Sequence, residues 1–326
     1  MKESIRPRIF VSSCLAGKSV RYNGLSSPCE LADNLAPFAE IVDRCPEVEI
    51  GLGIPRAPIR IVADGGDLSR LRLVQPETGA ELGEAMRAWA NRTLDGLGTV
   101  DGFIMKSKSP SSGVYDVKVY SATAGQPAIT TRAAGFFGAE ILARYPDSAI
   151  EDDGRLNDDR IRDNFLKRIF TSARFRLAKS EGRAADLVRF HADNKLLFMS
   201  YNQGIMREMG RVAAKLKGPD VATAFVEYER LMKLLLAHTY RPSNVVNALM
   251  HAFGYFKEGL SAAEKKHFLD GLEKYHEGLI PVSVPVALID SWIIRFGEGY
   301  LATQTLFRPY PEEIIRPKRR KNPDRE

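Results

Sequence analysis

Two cysteines stand in segments that do not read as core packing: Val11-Ser12-Ser13-Cys14-Leu15-Ala16-Gly17 and Cys45-Pro46-Glu47-Val48-Glu49-Ile50-Gly51. Cys14 follows the apolar run Ile9-Phe10-Val11, the mark of a buried strand, and Ser12, Ser13 and Gly17 then signal a turn. A thiol at the end of a strand, on a loop whose backbone can bend toward a ligand, suits a thiolate nucleophile or an iron–sulfur ligand. Cys45 follows Ile41-Val42 and precedes Pro46, whose nitrogen has no hydrogen to donate to a ladder. Loops containing Pro and Gly leave N–H groups free to point at cluster sulfur or a substrate anion. On spacing alone, three cysteines in a long chain read as small buried hydrophobes. It is their surroundings that point to chemistry. A third segment, Lys106-Ser107-Lys108-Ser109-Pro110-Ser111-Ser112-Gly113, joins these two.

The elements that must position these loops alternate over the first half of the chain. Strands are expected at Arg8–Val11, Val48–Gly51, Arg60–Val62, Leu71–Val74, Gly102–Lys106 and Val117–Tyr120, and helices at Pro28–Ala39, Thr78–Leu97 and Ala133–Tyr145. In the second helix Leu82, Met86, Trp89 and Ala90 share one face, and Thr78 with Glu81 has the form of a capping box. Such alternation predicts a Rossmann-like α/β domain with a mainly parallel sheet, whose ligands lie beyond the carboxyl ends of the strands. From Leu156 the pattern turns helical. Asn157 is placed to cap a helix through Phe170, and further helices are expected at Glu181–Met199, Tyr201–Lys217, Asp220–Leu236, Pro242–Lys257, Ala262–Gly278 and Pro285–Leu306. Ser261 with Glu264 forms another capping box. The chain thus divides into an α/β domain over 1–155, a helical linker over 156–186, an all-α domain over 187–311 and a disordered basic tail over 312–326.

The three segments together, S-x-C-L-x-G, C-P-E and S-P-S-S-G, resemble the TudS-like thiouracil desulfidase family, whose third motif reads S-P-S-C-G. In the second half Phe190-His191-Ala192-Asp193-Asn194-Lys195, Gly254-Tyr255-Phe256-Lys257, Tyr275-His276-Glu277-Gly278-Leu279-Ile280-Pro281 and Tyr300-Leu301-Ala302-Thr303-Gln304 resemble the YbgA-type helical domain. Chains of this fused architecture resemble the RudS-like desulfidases of thiouridine in tRNA. The resemblance implies a [4Fe–4S] cluster on three cysteines with one iron open to the substrate's thiocarbonyl sulfur, and replacement of that sulfur by oxygen without net redox. No flavin or nicotinamide is implied, and no G-x-G-x-x-G fingerprint is present. The substrate would be a thiolated uracil nucleotide or 4-thiouridine in tRNA.

Carried over by motif, Cys14 and Cys45 are cluster ligands and Glu47 is the acid or base that orients water or protonates the leaving sulfur. Ser109 offers a hydroxyl to substrate or water. Lys106, Lys108 and Arg56 are candidates for a nucleotide phosphate. The third cluster position holds Ser112, and oxygen is a hard, poor substitute for thiolate on iron. Three arrangements answer this departure. Cys29, at the start of a helix whose dipole favours thiolate, supplies the third ligand. Alternatively Ser112 binds an iron weakly, or the cluster is lost and the chain is a cluster-less RNA- or nucleotide-binding relative.

Composition sets the remaining bounds. With 326 residues, two domains are expected. Three cysteines are no disulfide framework, no apolar run is long enough to span a membrane, and no signal peptide is evident at Met1, so the expected setting is the cytoplasm. Of the net charge of +6, most sits in Arg316–Glu326, which holds six basic and two acidic residues and could meet RNA. The five histidines all fall in the helical half and none forms H-E-x-x-H, which argues against a zinc hydrolase.

Overall fold

The computed structural model describes residues 5–122, 127–215 and 221–315. The chain forms two compact units, one built from the chain up to Ala173 together with the segment from Tyr310, the other from Arg174 to Pro309. The division falls inside a helix, α5 (Asp159–Glu181), whereas the sequence reading placed a linker over 156–186. The basic run from Arg316 lies outside the described residues.

In the first unit β1 (Arg8–Ser12), β2 (Glu40–Arg44), β6 (Gly102–Met105) and β9 (Ala149–Asp152) form a four-stranded sheet in the order β2-β1-β6-β9, with every pairing parallel. Parallel strands covered on both faces are continuously apolar, and β1 and β6 follow that rule. Alternate side chains serve opposite cores. Phe10 and Phe103 pack with Trp89 and Phe137 on one side, while Ile9, Val11 and Ile104 pack with Leu35, Phe165 and Phe170 on the other. A second sheet runs β5-β4-β3-β7-β8, from β3 (Arg60–Ala63), β4 (Leu71–Gln75), β5 (Ala80–Glu81), β7 (Val117–Ser121) and β8 (Ala128–Ala133). Its β3–β7 pair is parallel and the others are antiparallel. The helices are α1 (Glu30–Leu35), α2 (Pro46–Glu49), α3 (Gly83–Gly96) and α4 (Phe136–Arg144).

Two local expectations are corrected. The segment at Val48 is not a strand but the end of the one-turn helix α2, because Pro46 at the first turn is pre-set for helix and lacks only a hydrogen the helix start does not use. Thr78 does not cap α3. Its hydroxyl donates to Gln75 Oε1 at 2.8 Å in the turn joining β4 to β5, and the helix begins at Gly83.

The second unit is helical: α6 (Ala184–Tyr201), α7 (Gln203–Ala214), α8 (Val221–Ala237), α9 (Pro242–Phe253), α10 (Ala262–His276), α11 (Ser283–Phe296) and α12 (Gly299–Thr303) follow the last turns of α5. Asp158 rather than Asn157 opens α5, its Oδ1 accepting from the N–H groups of Arg160 and Ile161 at 2.9 and 3.0 Å. The long helix expected from Pro285 is two, because Gly297 adopts φ 63° and ends α11 in a left-handed cap. No described helix is long and apolar enough to cross a membrane. The capping box of α10 is present in full, with Ser261 Oγ accepting from the Glu264 N–H and Glu264 accepting from the Ser261 N–H. Ser261→Ala should therefore lower unfolding stability by about 1 kcal/mol, measured by urea denaturation.

Candidate active site

The carboxyl ends of three of the four parallel strands, β1, β2 and β6, meet at one cavity of about 380 Å³. Ser12, Ser13 and Cys14 follow β1, Cys45 follows β2, and the stretch from Lys106 to Ser112 follows β6. Asp153, one residue past β9, lines a different cavity but holds two residues of this one: Oδ2 lies 2.5 Å from Lys106 Nζ, and Oδ1 accepts from the Ser107 N–H at 2.8 Å.

Glu47 is the residue most tightly held. Its Oε2 accepts from Arg56 Nε at 2.8 Å and pairs with Nη2 at 2.7 Å, while Oε1 accepts from the Ser111 hydroxyl at 2.8 Å. Arg56 Nη1 donates to the Gly53 carbonyl at 3.0 Å, Nη2 reaches the Val20 carbonyl at 2.9 Å and Cys45 Sγ at 4.0 Å, and the side chain is only 3% exposed. The guanidinium proposed from sequence to meet phosphate is thus enclosed, and orients a carboxylate. Ser109 reaches Glu47 only through Ser111: the two hydroxyls are 3.0 Å apart, and Ser109 Oγ also accepts the Ser112 N–H. Ser111, 1% exposed, was not singled out by sequence. Its signal was present in the motif but could not be separated from that of its neighbours.

The 109–113 loop is shaped from behind by α4. The N–H groups of Phe136 and Phe137, at the open end of that helix, donate to the carbonyls of Pro110 and Ser111, and Gly135 N–H donates to Gly113. The approach is close enough to require glycine, since a Cβ on Gly138 would sit 2.1 Å from the Gly113 oxygen.

Burial dominates the thiols. Cys14 is pushed up to about 11, mostly by desolvation and then by Cys45 nearby, against the pull of Lys106 and Arg21. Cys45 is raised by burial, with the Val48 N–H opposing. Cys29 is raised too. The N–H groups of Ala32 and Leu31 at the start of α1 do favour its thiolate, but burial outweighs them, so the expectation of a lowered thiol is corrected. Cys29 does not share the cavity of Cys14 and Cys45; it lines another, with Asn34, Asp153 and Arg162. Ser112 does line the first cavity, as do Lys106 and Lys108. Lys106 is engaged by Asp153, whereas Lys108 is exposed and, like the cavity-lining Arg21 missed by the sequence reading, forms no ion pair among the described residues.

Residues 9–153, which contain this whole constellation, match the family described as 2-thiouracil desulfurase. The chain belongs to that family. Residues 195–311 match a family described as a protein of unknown function, DUF1722, so the desulfurase domain is followed by a YbgA-like one. The uncharacterized protein YbgA of Escherichia coli (strain K12) is 26% identical over 162 residues, 49% of this chain and 95% of its own length. The uncharacterized protein YbbK of Bacillus subtilis (strain 168) is 32% identical over 109 residues, 32% of this chain and 72% of its own. A solved structure named as the [4Fe-4S]-dependent thiouracil desulfidase TudS is 24% identical and covers 47% of this chain and 94% of that one, with a TM-score of 0.35.

A cluster on three thiolates does not fit the desulfurase domain of this chain. Cys14 and Cys45 share the cavity with a hydroxyl at the third position, Cys29 faces elsewhere, and the described residues hold no group of three or more His, Cys, Asp or Glu placed for a metal ion. What the domain does hold firmly is its carboxylate. Breaking a buried ion pair strands the remaining charge, so Arg56→Gln should destabilise the protein by about 3 kcal/mol, a loss read by denaturant titration.

Proposed function

We propose that this cavity removes sulfur from a thiolated uracil, taken as a nucleotide or as 4-thiouridine within tRNA. The observation that carries this reading is the convergence of Cys14, Cys45 and the Glu47–Ser111 pair on one cavity, inside the segment matched to the desulfurase family. The change is an exchange of C=S for C=O. Water adds to the ring carbon, the C–S bond breaks with sulfur keeping the electron pair, and the sulfur leaves as hydrogen sulfide with no net redox.

Glu47 is the group suited to move the protons. Oε2 is taken up by the two nitrogens of Arg56, while Oε1, which among the described residues accepts only from Ser111, keeps a second lone pair, so Oε1 can take a proton from water and return it to the departing sulfur. Arg56 and Ser111 fix its orientation, and Ser109 acts through Ser111. Lys108 and Arg21 supply charge for a substrate phosphate, and Lys106 with Asp153 positions the backbone of the 106–113 loop. Because the donors do not make up three thiolates, the chemistry is assigned to the chain's own residues. The free cysteines support a reducing setting, the cytoplasm. Ser112 favours a second reading, a nucleotide- or RNA-binding relative without turnover, since the ligand position implied by the resemblance carries oxygen in place of sulfur.

Anaerobically purified protein should release sulfide from 4-thiouridine monophosphate, with loss of the thiocarbonyl absorbance. Glu47→Gln should lower kcat by about 100-fold while leaving KM nearly unchanged. Binding of the thionucleotide without sulfide release from any preparation would select the second reading. Ser112→Cys should raise bound iron and sulfide above the wild-type level. A full cluster complement already present in the wild type would sink the donor-set reading.

A further inference from the structure

The helical unit contains a cavity of its own, of about 580 Å³. Its cationic wall is made by Lys195 on α6 and by Arg207 and Arg211 on α7. The two arginines are four residues apart and so project from one helical face. Among the described residues no carboxylate lines the cavity, and none of these three cations forms an ion pair. A concave wall of one sign concentrates anions.

Opposite in character is the aromatic edge. Tyr255, in the turn after α9, and Tyr300, on α12, stack with ring centroids 5.5 Å apart and planes 23° from parallel. Tyr255 is 53% exposed, leaving ring surface available to a planar partner. Met199 and Met206 add polarisable apolar surface to the lining.

His191 supplies the third feature. Its Nδ1 lies 3.0 Å from the hydroxyl of the fully buried Tyr228. Burial keeps the imidazole neutral, with its pKa down at about 4, and keeps the phenol protonated. In the tautomer in which the phenol donates to Nδ1, Nε2 carries the ring proton and is a neutral donor. Residue 210 beside it is glycine, and a Cβ there would lie 3.0 Å from Nε2. Any other residue would crowd the donor.

We propose that this cavity binds a nucleoside monophosphate unit, with the phosphate on Lys195, Arg207 and Arg211 and the base against the Tyr255–Tyr300 pair. Arginine forks match phosphate oxygens and stacking on tyrosine tolerates any base. His191 Nε2 donates to a phosphate or sugar oxygen. The site is independent of the desulfurization reading, since every residue in it belongs to the helical unit.

Calorimetric titration of the full chain with AMP tests this, because adenine lacks the thiocarbonyl that the first cavity is proposed to process. AMP should bind at least about tenfold more tightly than adenosine or inorganic phosphate alone, because it gains both a charged bond and a stack. Arg207→Gln, Arg211→Gln and Tyr255→Ala should each weaken it by about tenfold, with unchanged circular dichroism. Gly210→Ala should weaken it by crowding His191. A single-stranded oligoadenylate separates the two sources of the unit. Tight AMP binding assigns the site to free nucleotides, and oligoadenylate binding without AMP binding, weakened by the same variants, assigns it to a nucleotide within RNA. The proposal is overturned if AMP binds but no better than phosphate, if neither AMP nor the oligonucleotide binds, or if whatever binds is indifferent to the arginine and tyrosine variants.

Discussion

The central polar network of the first cavity is built on the carboxylate of Glu47. One of its oxygens is held by Arg56 and the other by Ser111, so a single side chain ties the turn after β2, the loop ending at Arg56 and the loop after β6. A buried ion pair is worth having only when its other hydrogen-bonding capacity is met. Here it is met by the carbonyls of Val20 and Gly53 and by the serine hydroxyl. The same bonds that make burial of the charge tolerable also fix where the carboxylate can act.

The strand layout explains why three remote segments arrive together. Four parallel strands end on the same edge of one sheet, and their next residues are Ser13, Cys45, Lys106 and Asp153. Parallel pairing requires long crossovers, so the residues that converge in space are far apart in sequence. The serine loop gains its shape from the start of α4, whose free N–H groups bind the loop carbonyls and whose glycines allow two backbones to touch. Helix termini carry unsatisfied donors in any fold. In this one they are used to hold a loop in place.

The cavity is poor in ready thiolate. Desolvation raises all three cysteines, and helix N–H groups do not reverse it at Cys29. Two protonated thiols, a serine at the third position and an oriented carboxylate make a site weighted toward proton transfer and polar contact. In the helical unit the weighting is different: three cations with no ion pair among the described residues, a stacked tyrosine pair and a neutral histidine line one cavity.

Much was legible in the chain itself. Apolar runs marked β1 and β6, helical periodicity marked the second unit, the Ser261 box marked the start of α10, and motif spacing marked Cys14, Cys45, Glu47 and the serine loop. These features are local, and local chemistry is what residue order encodes. Whether Val48 would be strand or helix depended on Pro46 at the helix start, and the second sheet, with β8, rests on non-local pairing. Tertiary structure alone decided that Arg56 and Lys106 are enclosed by carboxylates, that Ser111 rather than Ser109 touches Glu47, that Asp153 and Arg21 join the site, and that Cys29 lines a different cavity. The sequence by itself determined which groups were available. Which of them meet was determined by strand order and by burial, because hydrogen-bond partners and desolvation belong to positions in space and have no trace in spacing along the chain.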